Sequence, residues 1–361
     1  MGNEQLEEQI SFWKRKDIEI STKRYLQDAM SAMALGLFAT LLMGTILDVL
    51  GTQTANLFGE NAISAFLVEI AAIAKDMKIM GAGIGVAVAT ALKAPPLVIY
   101  SCAAVGAMGA TLTGFGITMA GGPAGAFVAV AVGAEFGKMV SKETKVDILV
   151  TPGVTLITGG IAAKLVGPAV GWCLVKLGEA IMAATEWQPF FFGIFIAVIV
   201  GLALTAPISS AAICVMMELS GLAAGAATVG CCAQMVGFAV ASFRENGVGG
   251  LVAQGIGTSM LQVSNIIKHP WILVPPTLTA AIIGPLSTCI FHMTNIPIGA
   301  GMGTCGFVGS IGTFTDMGFT MAVLWKVLLL HIALPAVLAF IIDKCMRKMG
   351  LIKDGDYKLD L

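Results

Sequence analysis

The sequence predicts an all-α polytopic membrane protein built as two inverted-topology repeats of about five helices each, with broken or re-entrant helices among them. Three observations lead there: a chain poor in charge, an internal duplication, and a basic linker present in only one of the two copies. Of 361 residues, 57% are apolar, 12% are charged and 44 are glycine. Soluble domains carry about 25% charged residues, so this composition suits lipid as its solvent.

The duplication is direct. Residues 125–160 match 249–284 without a gap, with ten identities in 36 positions: Gly125/Gly249, Val128/Val252, Ala129/Ala253, Gly133/Gly257, Ile148/Ile272, Leu149/Leu273, Val150/Val274, Pro152/Pro276, Thr155/Thr279 and Gly160/Gly284. Two earlier blocks repeat in the same order, 36–47 on 193–204 and 71–87 on 211–227. Duplicated units with interrupted helices are the sequence signature of secondary transporters, because two related bundles can be exchanged about a site near the midplane. Lys138, Lys142 and Lys145 of the first linker correspond to Gln262, Ile266 and His269 in the second. That asymmetry favours opposite orientations, hence an odd number of crossings per repeat.

Taken in order, segment 1–25 is charged and amphipathic, with no apolar run before a small-residue cleavage site, which speaks against a cleavable signal peptide. Nearly uncharged stretches follow at 29–47, 79–92 continuing into 94–114, 119–134, 146–163, 189–217, 221–243, 248–267, 271–291 and 317–342. They read as helices able to cross about 30 Å of hydrocarbon, and their alanine and glycine content favours close helix contact. Repeat 1 occupies 26–186, repeat 2 occupies 187–345, and 346–361 forms a tail. The first repeat carries insertions around 50–64, read as the polar turn GTQTANLFGEN, and around 92–100, where Pro95 and Pro96 interrupt a helix. The second contains an excursion from Phe291 to Gly318, too glycine-rich for an ordinary helix and too apolar for a free loop. Lys14, Arg15, Lys16, Lys23 and Arg24 precede the first span, and Lys344, Arg347, Lys348 and Lys353 follow the last. Both termini are therefore expected in the cytoplasm of a bacterial inner membrane.

Polar groups at membrane depth are costly and mark function. Glu69, Asp76, Glu135, Glu218 and Asp316 lie in or beside apolar runs, as do Gln53, Asn56, Gln234, Gln254, Gln262, Asn265, His292 and Asn295. Glu69 and Glu135 rank first among the carboxylates, because their repeat counterparts are Ser209 and Ser259 and the shared scaffold does not demand their charge. Thr155 and Thr279 follow Pro152 and Pro276; a proline frees a helix carbonyl, and a nearby threonine can satisfy it or bind a polar solute. A packing kink is the plainer reading of both prolines. Thr294, Asn295 and the neighbouring His292 offer hydroxyl, amide and imidazole groups ahead of Pro297 and a glycine run, a chemistry suited to sugars. The expected solute-binding set is thus Glu69, Glu135, Thr155, Thr279, His292, Thr294 and Asn295, with Pro95, Pro96, Pro152, Pro276 and Pro297 as hinges. Neither the eight cysteines nor any other spacing suggests a disulfide, metal or cofactor, no basic groove suggests nucleic acid, and no P-loop, zincin or serine-nucleophile motif points to an ATPase or hydrolase.

The glycine-rich run 79–92, the KAPP turn at 93–96, the GGPAGAF stretch at 121–127 and the TNIPIGAGMG segment at 294–303 resemble the membrane IIC-type domain of bacterial phosphotransferase-system sugar transporters, in the perfringolysin-regulator-like branch. The resemblance spans about residues 25–345. It implies a dimeric permease with its sugar pocket in the membrane, served by separate IIA and IIB proteins. Several such permeases place a glutamate after a Gly-Ile-Thr turn, whereas Met119 follows Gly116-Ile117-Thr118 here, so the solute is either handled with IIA and IIB or moved unmodified. The expected function is transport of a small polar solute, a sugar or sugar acid, by an elevator-like alternating-access mechanism with no chemistry in this chain. The alternative is a solute-sensing regulatory membrane protein without significant flux.

Overall fold

The computed structural model describes residues 12–114, 116–206 and 208–359. Among them the regular structure is helical, with isolated bridges joining Thr113 to Ala120 and Gly221 to Asn295. Among the described residues six helices are long and apolar enough to cross a membrane: Lys23–Phe58, Gly122–Val140, Asp147–Leu165, Gly221–Ala241, Pro270–Ile290 and Met321–Lys348. The protein is therefore a multi-pass, all-α membrane protein. Its chain divides into two compact units, Met1–Leu174 and Val175–Leu361. The division falls inside the helix Gly167–Trp187, upstream of the repeat boundary expected at 186.

Unit 1 begins with α1 (Lys23–Phe58), which contains π-helical stretches at Lys23–Ala29 and Phe38–Leu42. The expected polar turn GTQTANLFGEN, residues 51–61, is instead mostly helix. Thr54 bonds back to the Leu50 carbonyl, and the reversal is confined to Gly59, in a left-handed conformation, and Asn61. Asn61 and Ser64 form a reciprocal capping box that starts α2 (Ala62–Ala74), satisfying backbone donors that would otherwise be orphaned. α2 folds back along the second half of α1, tied by Lys75 to Asp48 at 2.6 Å. Asp76 then caps α3 (Met77–Ala91). As expected, the Pro95–Pro96 turn separates α3 from α4 (Pro96–Thr111), with Pro96 at the first helical position, where its missing N–H costs nothing. α5 (Gly122–Val140) and α6 (Asp147–Leu165) complete the packed core. Glycines set the spacing: a Cβ on Gly85 would collide with the Cys102 carbonyl, and one on Gly109 with Gly125. Apolar chains in lipid associate by such close packing, since no hydrophobic gain separates helix from tail.

The helix α7 (Gly167–Trp187) leads into unit 2, where α8 (Pro189–Thr205) ends before the short α9 (Ser210–Met216). The sequence suggested one stretch over 189–217. Instead Ala206 is extended, as residues preceding a proline prefer to be, while Pro207 itself lies outside the described residues. α10 (Gly221–Ala241) is the post of the unit, buried over nearly its whole length. α8, α13 (Pro270–Ile290) and the last helix pack around it.

Nor is the apolar stretch 248–267 a single span. α11 (Phe243–Val252) runs into a π turn at Ala253–Gly257, the chain reverses at the extended Thr258, and a 3-10 turn at Ser259–Gln262 leads into α12 (Val263–Lys268). Each arm of this hairpin is shorter than the roughly 20 residues a spanning helix needs. The excursion is likewise broken, into α14 (Pro297–Ala300), a 3-10 turn at Cys305–Phe307 and α15 (Val308–Met317). α16 (Met321–Lys348) follows. The segment after α16 packs back onto the unit: Ile352 and Tyr357 are buried among Phe238, Ile272 and Met346, and the Tyr357 hydroxyl donates to Asp343 at 3.0 Å.

Candidate functional site

Unit 2 holds a chain of neutral donors and acceptors at the tip of the α11–α12 hairpin. Gln234 sits on α10, buried completely, so its amide must find partners within the protein. It donates to the Thr277 hydroxyl at 3.0 Å and accepts from the Thr205 hydroxyl at 3.2 Å. Thr205, at the end of α8, also lies 2.9 Å from the Ser259 hydroxyl at the hairpin tip. Each element brings its group there for a local reason. Thr258 caps the 3-10 turn by accepting from the Met260 N–H and so presents Ser259 inward, α8 stops at Thr205, and Thr277 lies near the start of α13. Thr277 also lines an apolar groove of ≈ 330 Å³ bounded by Val198, Leu202, Leu273 and Leu278.

A second layer lies at the hairpin base. Buried Gln262 donates to Gln254 at 2.9 Å and to the Tyr357 carbonyl at 3.0 Å, Gln254 donates to Ser242 at 2.7 Å, and Asn246 and Asn265 hold the backbone of residues 357–359. The C-terminal segment thus clasps the open end of the hairpin.

The excursion is pinned separately. Asn295 is fully buried; its amide donates to Thr228 at 2.6 Å and to the Gly309 carbonyl at 2.9 Å, and its side-chain oxygen accepts from the Ile296 N–H. Its backbone pairs with Gly221 in both directions. Close by in sequence, Ser310 is 3.0 Å from His331 Nδ1, while Nε2 of this buried histidine has no partner among the described residues. His331 lies in a π-helical stretch, Leu328–Ala333, a distortion frequent at functional sites.

In unit 1 a buried cluster of charged residues forms around Arg24 and Lys138. Arg24 grips Asp17 through two bonds of 3.0 and 3.1 Å and donates to the Leu92 carbonyl at the end of α3. Lys138, almost wholly buried, donates to that same carbonyl and to the Asp17 carbonyl, and pairs with Glu135 at 3.0 Å. Glu135 also accepts from Tyr25 at 2.9 Å. The Arg24 guanidinium holds the Asp17 carboxyl below its ordinary pKa despite partial burial, and bonded Lys16 does the same for Glu143.

The expected binding residues are divided between the units, with Glu69, Glu135 and Thr155 in unit 1 and Thr279, His292, Thr294 and Asn295 in unit 2. Glu69 stands on the exposed face of α2, beside Ile63, Phe66 and Ile73, with no bond partner among the described residues. Glu135 belongs to the charged cluster. Thr155 and Thr279 are buried, and each donates 2.8 Å to the carbonyl four residues back. His292 is exposed at the start of the excursion with φ +46°, and Thr294 is half-buried with its N–H on the Met317 sulfur. Pro95, Pro96 and Pro297 lie at helix starts, Pro276 lies in the first turns of α13, and Pro152 lies inside an unbroken α6. Thr205, Thr277, Ser310 and His331 escaped the sequence reading. A lone histidine inside the 317–342 run was a visible signal for the last, and Ser259 was visible only as the counterpart of Glu135.

Residues 27–359 match the family model described as Phosphotransferase system, EIIC. Neither a curated protein nor a solved structure matches the chain.

Proposed function

Because this chain belongs to the phosphotransferase-system EIIC family, whose membrane context and transport role it shares, we propose that it moves a small polar solute, a sugar or sugar acid, by elevator-like alternating access. The observation that carries this reading is the buried hydroxyl and amide chain Ser259–Thr205–Gln234–Thr277. Neutral donors and acceptors of this kind recognise hydroxylated solutes while avoiding the cost of a buried charge. In the transport cycle, solute hydroxyls replace the bonds that these side chains now make with one another. Movement of the hairpin tip away from Thr205 exposes them, and its return excludes water. The excursion around Asn295 forms a second wall, where the unsatisfied His331 nitrogen offers one more polar contact.

No chemical step falls to this chain; the phosphoryl group, where transfer occurs, comes through separate IIA and IIB proteins. The remaining features of the proposal are a homodimer in a bacterial inner membrane, inverted repeats at 26–186 and 187–345, both termini in the cytoplasm, and kinship with the perfringolysin-regulator-like branch. The duplicated blocks and the one-sided basic linker support the inversion. Interrupted helices at matching places support it too, between α2 and α3 and between α9 and α10.

The test is uptake by proteoliposomes containing the purified protein, with a panel of sugars and sugar acids, with and without IIA and IIB proteins. Saturable flux that Ser259→Ala weakens supports the reading. A solute that stabilises the protein while giving no flux under either condition replaces it with a sensor.

A further inference from the structure

Unit 1 contains a cleft of ≈ 310 Å³ at the point where the N-terminal segment crosses the ends of α3 and α5, lined among others by Arg15, Lys16, Lys93, Lys138 and Lys142. Two carboxylates line it as well, Asp17 and Glu143, and behind them Arg24 and Glu135 offset each other. The walls therefore carry three more positive than negative charges. Several of these cations have structural duties. Lys16 bonds the Ser141 carbonyl and Glu143, and Lys138 bonds two carbonyls and Glu135. Such contacts neutralise helix C-termini, where cations belong.

Three cations are not accounted for in this way. The Lys142 ammonium makes no hydrogen bond or ion pair among the described residues, although its charge acts on the nearby Asp147 carboxylate. Lys93 is 75% exposed and reaches only 3.9 Å from Asp17, and Arg15 is 62% exposed with a single bond to Glu143. The backbone makes their presence more telling. Lys93 and Lys142 both adopt positive φ, +55° and +61°, just after α3 and α5, and Asp17 does so at +50°. Glycine takes that conformation without strain and is the common choice there, yet this cleft has charged side chains at all three positions. Strain kept at a solvent-facing turn points from geometry to use.

We propose that this cleft binds a phosphate-bearing anion, held by the ammonium groups of Lys93 and Lys142 with Arg15 at its rim. The surroundings favour a phosphate carried on a lipid headgroup. Trp13 and Ile20 are exposed apolar groups on the same segment that supplies Arg15 and Lys16, and Leu26 is exposed in the first turn of α1 that follows it. An aromatic and apolar segment with basic residues beside a first span is the arrangement that settles at an anionic interface. The anion bridges the α3–α4 turn, the α5–α6 turn and the N-terminal segment, and relieves the mutual repulsion of their cations.

The test compares the wild-type protein with K93Q/K142Q, both purified in neutral detergent, for the shift in thermal midpoint caused by phosphatidylglycerol, by phosphatidylcholine and by soluble glycerol 3-phosphate. Both lysines are exposed, so equal midpoints without additive confirm an intact fold. The expected result is a rise of a few degrees with phosphatidylglycerol in the wild type, reduced by high salt, absent with phosphatidylcholine and largely lost in K93Q/K142Q. A matching rise with glycerol 3-phosphate keeps the phosphate site but overturns its assignment to lipid. Equal shifts in both proteins, or none in the wild type, overturn the proposal. The control K348Q/K353Q, altered in unit 2, must retain the wild-type response.

Discussion

Residues 125–137 and 249–261 share four identities, including glycines at 125/249 and 133/257, yet they fold differently. In unit 1 they form part of the unbroken helix α5; in unit 2 they enter a hairpin that reverses at Thr258. The difference lies in the residues that follow the second shared glycine. Ala134 and Glu135 sustain a helix, whereas Thr258 and Ser259 compete for backbone donors and favour a cap. The same exchange decides the chemistry. Glu135 enters an ionic cluster with Lys138 and Tyr25, while Ser259 enters a neutral chain with Thr205 and Gln234. One copy of the motif is anchored by charge, and the other is left with the groups a sugar would need.

The largest test of this contrast is Lys138→Met in α5. Removing one partner of a buried ion pair leaves the other unpaired, and the expected loss is about 3–5 kcal/mol of stability, read as a lowered thermal midpoint in detergent. Little change would mean that the cluster does not anchor unit 1. Next is Asn295→Ala, which removes three side-chain bonds, to Thr228, the Gly309 carbonyl and the Ile296 N–H, and should cost about 2–3 kcal/mol. If solute affinity falls instead while the midpoint stays put, Asn295 is a solute ligand, as its sequence context suggested. Thr258→Ala removes the cap at the hairpin tip, with an expected cost of about 1 kcal/mol and faster hydrogen exchange confined to residues 255–262. Exchange unchanged there would show that the reversal does not depend on the cap.

The smallest effect is one of pH. Asp17 is held below its ordinary pKa chiefly by its bond to Arg24. Its contribution to docking the N-terminal segment is therefore complete above about pH 4 and is lost as pH falls through the lowered folded value. Hydrogen exchange of residues 13–22 should rise on acidification below that point, and Asp17→Asn should show the rise already at neutral pH. A rise centred near pH 6 to 7 would assign the docking to another group.

The membrane character and the positions of most helices were legible because they rest on composition and on runs of apolar residues. The breaks were legible in part. Pro95–Pro96 announced one, and the glycines of 291–318 announced another. The hairpin at 248–267 was not, since its reversal depends on a capping threonine within an otherwise uniform apolar run. Single residues were hardest to place. Asn295 and Gln234 were conspicuous as polar groups, but whether an amide faces a solute or its own backbone depends on packing between distant segments. Likewise, Thr155 and Thr279 keep their symmetry in the fold by bonding their own helices.

The central claim is that the neutral tip of unit 2 meets the solute while its charged counterpart in unit 1 anchors the fold. The most direct measurement is transport by Ser259→Ala and Glu135→Gln in parallel, using the solute identified by the uptake panel, with thermal midpoints recorded beside the flux. Ser259→Ala should weaken apparent affinity about tenfold, the worth of one hydrogen bond of roughly 1.4 kcal/mol, with a midpoint close to wild type. Glu135→Gln should lower the midpoint and leave affinity unchanged. Full affinity in Ser259→Ala together with lost affinity in a stable Glu135→Gln would contradict the account and place the solute at the carboxylate of unit 1.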